Sequence, residues 1–225
     1  MKKSVVNYRE FRFSKLNTPE FSHLKYLLGW VVYFSLYFLT ENLIPPENCH
    51  IIHSPLDDMI PFLEIFVIPY VLWYGLIVFS LTYFAMYNID SFKKLQTFIM
   101  ITQGLAMIVY IVYPSMQDLR PTEFANQNIF TDMIGFLYSF DTNTGVFPSL
   151  HVAYSVGIAS VWLKEKDASW VLRISIAVFC LLVCASTVFI KQHSILDAFG
   201  AIPVCIIAEA VLYGKYWRDK FKLKP

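Results

Sequence analysis

The run Lys191-Gln192-His193-Ser194-Ile195-Leu196-Asp197 sets a histidine and an aspartate four residues apart at the start of a strongly apolar stretch. On a helix, positions i and i+4 share one face, a turn apart. Asp197 can therefore accept a hydrogen bond from one ring nitrogen of His193. That contact fixes the tautomer and turns the other nitrogen outward, as a base or a nucleophile. Both residues stand where a bilayer favours leucine. An ionisable side chain inside a membrane helix costs about 2.5–3.5 kcal/mol on insertion scales, so a functional site is the default reading and a pair that merely joins two helices the plainer one. His151, preceded by Pro148-Ser149-Leu150, and the cations Arg120 and Lys191 complete the candidates. Together they suit phosphate chemistry: one imidazole attacks phosphorus, the other protonates the leaving oxygen, and the cations hold the equatorial oxygens.

The elements that position these residues follow from composition. The chain of 225 residues is 56% hydrophobic and 16% charged, too apolar for an ordinary soluble domain. Its 20 Phe and 14 Tyr suit membrane interfaces, and no basic block is large enough to suggest nucleic acid. Six apolar runs, near 24–43, 62–86, 95–113, 148–163, 168–190 and 194–213, predict six transmembrane helices, each close to the roughly 20 residues that cross a hydrocarbon core. The first is expected to act as an uncleaved anchor. Residues 88–94 read as a short basic turn. The long connection 114–145 carries an apolar stretch, 129–140, expected to lie in the interface. Residues 1–22 read as an arm on the cytoplasmic membrane surface, and 215–225 as a basic tail. The expected fold is thus an all-α six-helix membrane bundle forming one domain.

Orientation comes from Lys and Arg. An even number of spans puts both termini on one side with the 88–94 and 164–167 turns. That side holds 16 of the 18 basic residues, all except Arg120 and Lys191, and is therefore cytoplasmic. Two lone cations on the opposite face call for an anionic substrate. The third-to-fourth connection and the starts of the fourth and sixth spans all open on that face. They gather Arg120, His151, Lys191, His193 and Asp197 where two helix starts favour an anion. Ser149 reads as a helix N-cap or as a direct donor to an oxyanion.

These residues resemble the superfamily of type-2 phosphatidic-acid phosphatases, the lipid phosphate phosphatases, which includes sphingolipid head-group transferases and vanadium haloperoxidases. The family motifs Lys-x6-Arg-Pro, Pro-Ser-Gly-His and Ser-Arg-x5-His-x3-Asp are matched by Arg120-Pro121, by Pro148-Ser149-Leu150-His151, and by Ser186 with His193-Ser194-Ile195-Leu196-Asp197. Tyr113, Leu150 and Thr187 depart from the motif lysine, glycine and arginine, and Lys191 is the candidate substitute for a missing cation. Pro-Ser-Leu-His and Lys-Gln-His-x3-Asp look more like the inositol-phosphorylceramide synthase branch than the plain phosphatases. The resemblance implies His193 as nucleophile, Asp197 as its orienter and His151 as acid for the leaving alcohol, with Arg120, Ser149 and Lys191 binding phosphate. It implies a phosphohistidine intermediate and no metal or other cofactor. The partner expected is a lipid phosphate in the plasma membrane, cleaved or transferred at the extracytoplasmic face. The alternatives are a head-group transferase and a non-catalytic lipid-phosphate binder or transporter.

Plainer readings cover the remaining polar residues. His50, His53, Asp57 and Asp58 lack the spacing of a helical metal-ligand pair. Asp57-Asp58 is expected to cap the second span or border the substrate entrance, while Glu64 lines the cavity or pairs. Tyr113 reads as an interface aromatic. Cys49, Cys180, Cys184 and Cys205 read as packing residues without an outer disulfide.

Overall fold

The computed structural model describes residues 4–221, except the side chains of Phe140 and Phe221; the ends of the expected arm and tail lie outside the described residues. Among the described residues, eight α-helices carry the fold: α1 (Leu28–Leu43), α2 (Pro55–Met59), α3 (Val67–Tyr87), α4 (Ile89–Val112), α5 (Ile129–Phe140), α6 (Leu150–Lys164), α7 (Trp170–Phe189) and α8 (Ile195–Phe221). Four helical stretches, Glu64–Tyr87, Ile89–Val112, Trp170–Phe189 and Ile195–Lys220, are long and apolar enough to cross a membrane. The protein is a helical membrane protein. α1, with 16 residues, and α6, with 15, are shorter.

The helix boundaries follow local capping chemistry. Where a basic turn over 88–94 is expected, one residue does the work. Asn88 closes α3, and its side chain accepts a hydrogen bond from Ser91 N at 3.2 Å, so that α4 begins at Ile89 and takes Lys93 and Lys94 into its first turns. Ser149 caps α6, Ser169 caps α7, and Asn128 forms a capping box with Thr131 at the start of α5. The extent of α5 coincides with the apolar stretch read from the sequence.

α4 is the hub, packed against α1, α3, α6 and α8, while α6 packs most extensively on α7. Phe92, Leu95, Phe98 and Ile99 of α4 are fully buried. Between lipid-exposed helices the drive is close packing rather than escape from water, so small residues matter. At Gly157 of α6 a Cβ would lie 2.4 Å from Phe98 Cδ1, so only glycine lets α4 approach this closely. Facing outward, Val78, Leu181, Ile206 and Val211 remain exposed, as a hydrocarbon solvent requires.

Both ends of the bundle carry short elements outside the long helices. At the basic end, the N-terminal arm folds into short 3-10 turns. It docks against the α3–α4 corner: Val5 N donates to Met86 O (2.8 Å), Tyr8 Oη donates to Ala85 O (2.7 Å), and Phe21 and His23 are buried. At the histidine end, the all-α expectation misses a small parallel sheet, β1 (His50–Ile51) with β2 (Ser115–Met116), in the register His50–Ser115 and Ile51–Met116. Gly145, whose φ of 60° suits glycine, donates its N–H to Ser115 O at 2.7 Å. The loop leading to His151 is thereby knitted to the sheet.

Candidate active site

The site begins at the turn between α7 and α8. In the last turn of α7, the carbonyl of Thr187 accepts hydrogen bonds from Gln192 N and His193 N, both at 3.0 Å. Reversal within so few residues needs a left-handed conformation, and Lys191 adopts it with φ 55°. Its amine donates to the carbonyls of Asp57 and Ile60, each at 2.6 Å. Lys191, expected to bind phosphate, here meets backbone oxygens. The cation is committed to two carbonyls of the loop around α2, and its burial there pulls its pKa down against the opposing pull of Asp57 and Asp58.

In the first turn of α8, Asp197 Oδ2 lies 3.1 Å from His193 Nδ1 and accepts a hydrogen bond from Ser194 N at 2.9 Å. The i, i+4 geometry expected from the sequence is present. Asp57 supplies what the sequence did not reveal. It caps α8 rather than the second span: Ser194 Oγ donates to its Oδ2 (2.6 Å) and Ile195 N to its Oδ1 (2.8 Å), while Ser54 N also donates to Oδ2 (2.8 Å). A carboxylate at a helix start is stabilising because it satisfies free N–H groups and faces the positive end of the dipole. It also means that the start of α8 is already occupied and is not the open anion site expected there.

His151 enters from the first turn of α6. Its ring stacks on Tyr70 and Trp73, with centroids at 4.4 and 4.2 Å, and lies 5.6 Å from the His193 ring. Ser149 is the N-cap, accepting from Val152 N at 3.4 Å, and its own N–H donates to Asp197 O at 3.0 Å. Of the two expectations for Ser149, the structural one describes these contacts. That backbone bond links the starts of α6 and α8 and so sets the distance between the two imidazoles.

Arg120 is near but engaged. Its guanidinium donates to the carbonyls of Tyr138 (3.2 Å), Asp141 (2.9 Å) and Thr142 (2.9 Å) and to Gln192 Oε1 (2.6 Å), and it lies 4.5 Å from the centroid of the Tyr138 ring. Burial lowers its pKa, opposed mainly by Asp141. Gln192 Nε2 in turn donates to Asp141 Oδ2 at 3.1 Å, and Tyr70 Oη to the same oxygen at 3.4 Å. Arg120 therefore holds the end of α5 and the two residues after it, with Gln192 as the intermediate between it and the histidines. Among the described residues, His151 Nε2, Arg120 Nε and Asp197 Oδ1 are buried without a protein partner. Six other buried polar atoms among the described residues, Tyr154 Oη and Ser155 Oγ among them, share this state, so it does not single out the histidine end.

A cavity of about 640 Å³ lies beside both histidines. Its polar end carries His151, His193, Gln192, Asp141 and Thr142; its far walls are Trp30 and Phe34 of α1 and Ile77, Val78 and Leu81 of α3. That size and mixture fit one small-molecule head with an apolar appendage. Burial pushes the Asp141 carboxyl up, offset by His193 and Arg120.

The other polar candidates find structural partners. Tyr113, at the motif position of a lysine, stacks on His50 at 4.2 Å. His53 bridges Asp58 (3.0 Å) and Asp118 (3.3 Å), and Glu64 accepts from Asn128 Nδ2 at 3.3 Å. Among the described residues no group of three metal-ligating side chains converges. The chain matches no known family, no curated protein and no solved structure.

Proposed function

We propose that this protein is an integral membrane enzyme that cleaves or transfers a phosphoester of a lipid through a phosphohistidine, as its resemblance to the type-2 phosphatidic-acid phosphatases implies. The observation that carries the reading is the pair of imidazoles 5.6 Å apart at one end of an apolar cavity, one of them held by Asp197 through Nδ1. In this reading Nε2 of His193 attacks phosphorus while the bond from phosphorus to the ester oxygen breaks. His151 protonates the leaving alkoxide. Water or a second alcohol then attacks the phosphohistidine, the P–N bond breaks, and His151 takes back the proton.

The finer membrane arrangement belongs to the same proposal: six spans formed by α1, α3, α4, α6, α7 and α8, with α5 in the interface. α6 is about 22 Å long at 1.5 Å per residue, shorter than a hydrocarbon core of about 30 Å. A site at its start would then sit below the head-group layer, level with an ester phosphate. The basic end would face the cytoplasm and the histidines the outside of a plasma membrane.

The test is rapid acid-free quenching of purified protein with a radiolabelled phospholipid panel. Label retained on wild type at His193, and lost in His193→Gln with unchanged folding, is the expected outcome. Saturable lipid binding without any labelled histidine points instead to a non-catalytic binder, the reading favoured if the engagement of Arg120 and Lys191 leaves the site without enough positive charge.

A further inference from the structure

A second cavity, of about 750 Å³, lies between α6 and α8 and shares no residue with the one beside the histidines. Val152, Val156 and Leu163 of α6 and Ala201, Ile202 and Ile206 of α8 line it. Val156, Ile202 and Ile206 are exposed, so the space is a groove open to the surrounding hydrocarbon. It exists because α6 packs less extensively on α8 than on α7. Between residues 152 and 163 it follows α6 for about 16 Å at 1.5 Å per residue, a length that suits a stretched hydrocarbon chain.

Its mouth, at the basic end, is polar and aromatic. Glu209 is the one carboxylate lining the space among the described residues. It accepts from Ser160 Oγ, Lys164 Nζ and Trp217 Nε1, each at 2.7 Å, and Lys164 matches its charge. Lys164 lies 4.2 Å from the centroid of the Tyr213 ring, and Lys220 lies 5.1 Å from that of Trp217 and 5.7 Å from that of Tyr216. Lys164 and Tyr216 also border an adjoining recess with Lys166, Lys215 and Asp219. Lys166, Lys215 and Lys220 are exposed and, among the described residues, form no ion pair, whereas Lys94 beside them is paired with Asp90 at 2.6 Å. Three such ammonium groups against the carboxylate of Asp219 leave the rim positive.

We propose that this groove binds an anionic phospholipid of the surrounding bilayer, one acyl chain lying along residues 152–163 and its phosphate among Lys166, Lys215 and Lys220 beside Tyr216. Apolar walls take the chain, aromatic rings mark the depth of the head groups, and lysines that reach past those rings meet the negative charge. A zwitterionic lipid offers the same chains but brings an ammonium group to a rim that repels it. A second copy of this chain is a worse occupant. Copies inserted with one orientation would pair through this face about a two-fold axis along the membrane normal. Each patch would then meet itself at the same depth, lysine against lysine. The site is independent of the phosphohistidine reading and stands or falls without it.

The experiment uses the full chain in mixed micelles with lipids whose brominated acyl chains quench a tryptophan they touch. Trp217 stands at the mouth of the groove, so its share of the emission is read as wild type minus Trp217→Phe. Brominated phosphatidylglycerol is compared with phosphatidylcholine carrying the same chains. Half-quenching of the Trp217 share is expected at a mole fraction at least fivefold lower for phosphatidylglycerol. Lys166→Gln, Lys215→Gln and Lys220→Gln together should bring the two lipids within twofold of each other, and high salt should do the same in wild type. Val156→Phe, which fills the groove, should weaken quenching by both. Equal quenching by the two lipids in wild type overturns the proposal, as does a preference that survives the triple substitution. A Trp217 share that neither lipid quenches overturns it too. If light scattering then shows dimers, the groove belongs to a second copy.

Discussion

Nδ1 of His193 lies 3.1 Å from Oδ2 of Asp197, and the same oxygen accepts the N–H of Ser194 at 2.9 Å. One carboxylate, in the first turn of α8, thus orients the imidazole and fastens the turn that carries it. Asp197→Asn keeps the shape but offers an amide where the ring nitrogen needs an acceptor. Turnover of the lipid substrate is expected to fall about 10²–10⁴-fold, the range for losing a positioned proton-transfer group. Thermal unfolding should move much less, and an unchanged kcat would remove Asp197 from the machinery.

Asp57 makes a separate prediction, because its three donors belong to the loop around α2 and to the start of α8. Asp57→Ala strands buried donors, each at about 1–3 kcal/mol, so a loss of several degrees in melting temperature is expected before any effect on substrate binding. Lys191→Met should behave alike. If Lys191 were a phosphate ligand, that variant would raise KM without lowering stability.

Helix packing is tested at Gly157. Gly157→Ala places a methyl group 2.4 Å from Phe98 Cδ1, and overpacking of this kind costs about 1–3 kcal/mol. Phe98→Leu added to it should recover much of the loss, measured by thermal melting in detergent. Failure of the rescue would locate the constraint elsewhere than in this contact.

His53 gives a pH dependence at the loop end. What little burial it has works downward, but the carboxylates of Asp58 and Asp118 outweigh it and raise the imidazole pKa above the ordinary value of about 6.5. A raised folded pKa means that the folded protein binds the proton more tightly. The added stability is full below the unfolded value and is lost as pH rises through the folded one. The melting temperature of wild type minus that of His53→Gln should therefore shrink from acid to neutral pH. A flat difference would dismiss the charge pairing.

Much of this was legible from residue types. The His193–Asp197 spacing, the extent of α5 and four long apolar helices read directly, because i, i+4 geometry and hydrocarbon length are local rules. The engagement of Arg120 and Lys191 was not. A cation looks the same in sequence whether it faces a substrate or three carbonyls, and only the path of residues 138–142 and 57–60 decides. Asp57 was missed for the same reason. Its partners lie in α8, and a carboxylate before a proline-ended loop reads as a cap for the next helix, not the last one. Asp141 and Gln192 carried no periodicity at all. The start of α4 was misplaced because Asn88 ends one helix and begins another without any spacer.

The grip of Asp57 on Ser194 and Ile195 spans 137 and 138 positions of sequence. It makes the placement of His193 an inherited property of the short α2 segment, no residue of which lines the cavity. A single protease nick in that segment would leave every reacting group intact and the hydrocarbon-spanning helices in place, yet release the turn on which the imidazole is mounted. Inactivation by such a cut, reversible on religation, would look like chemical damage at the histidine while leaving its side chain untouched.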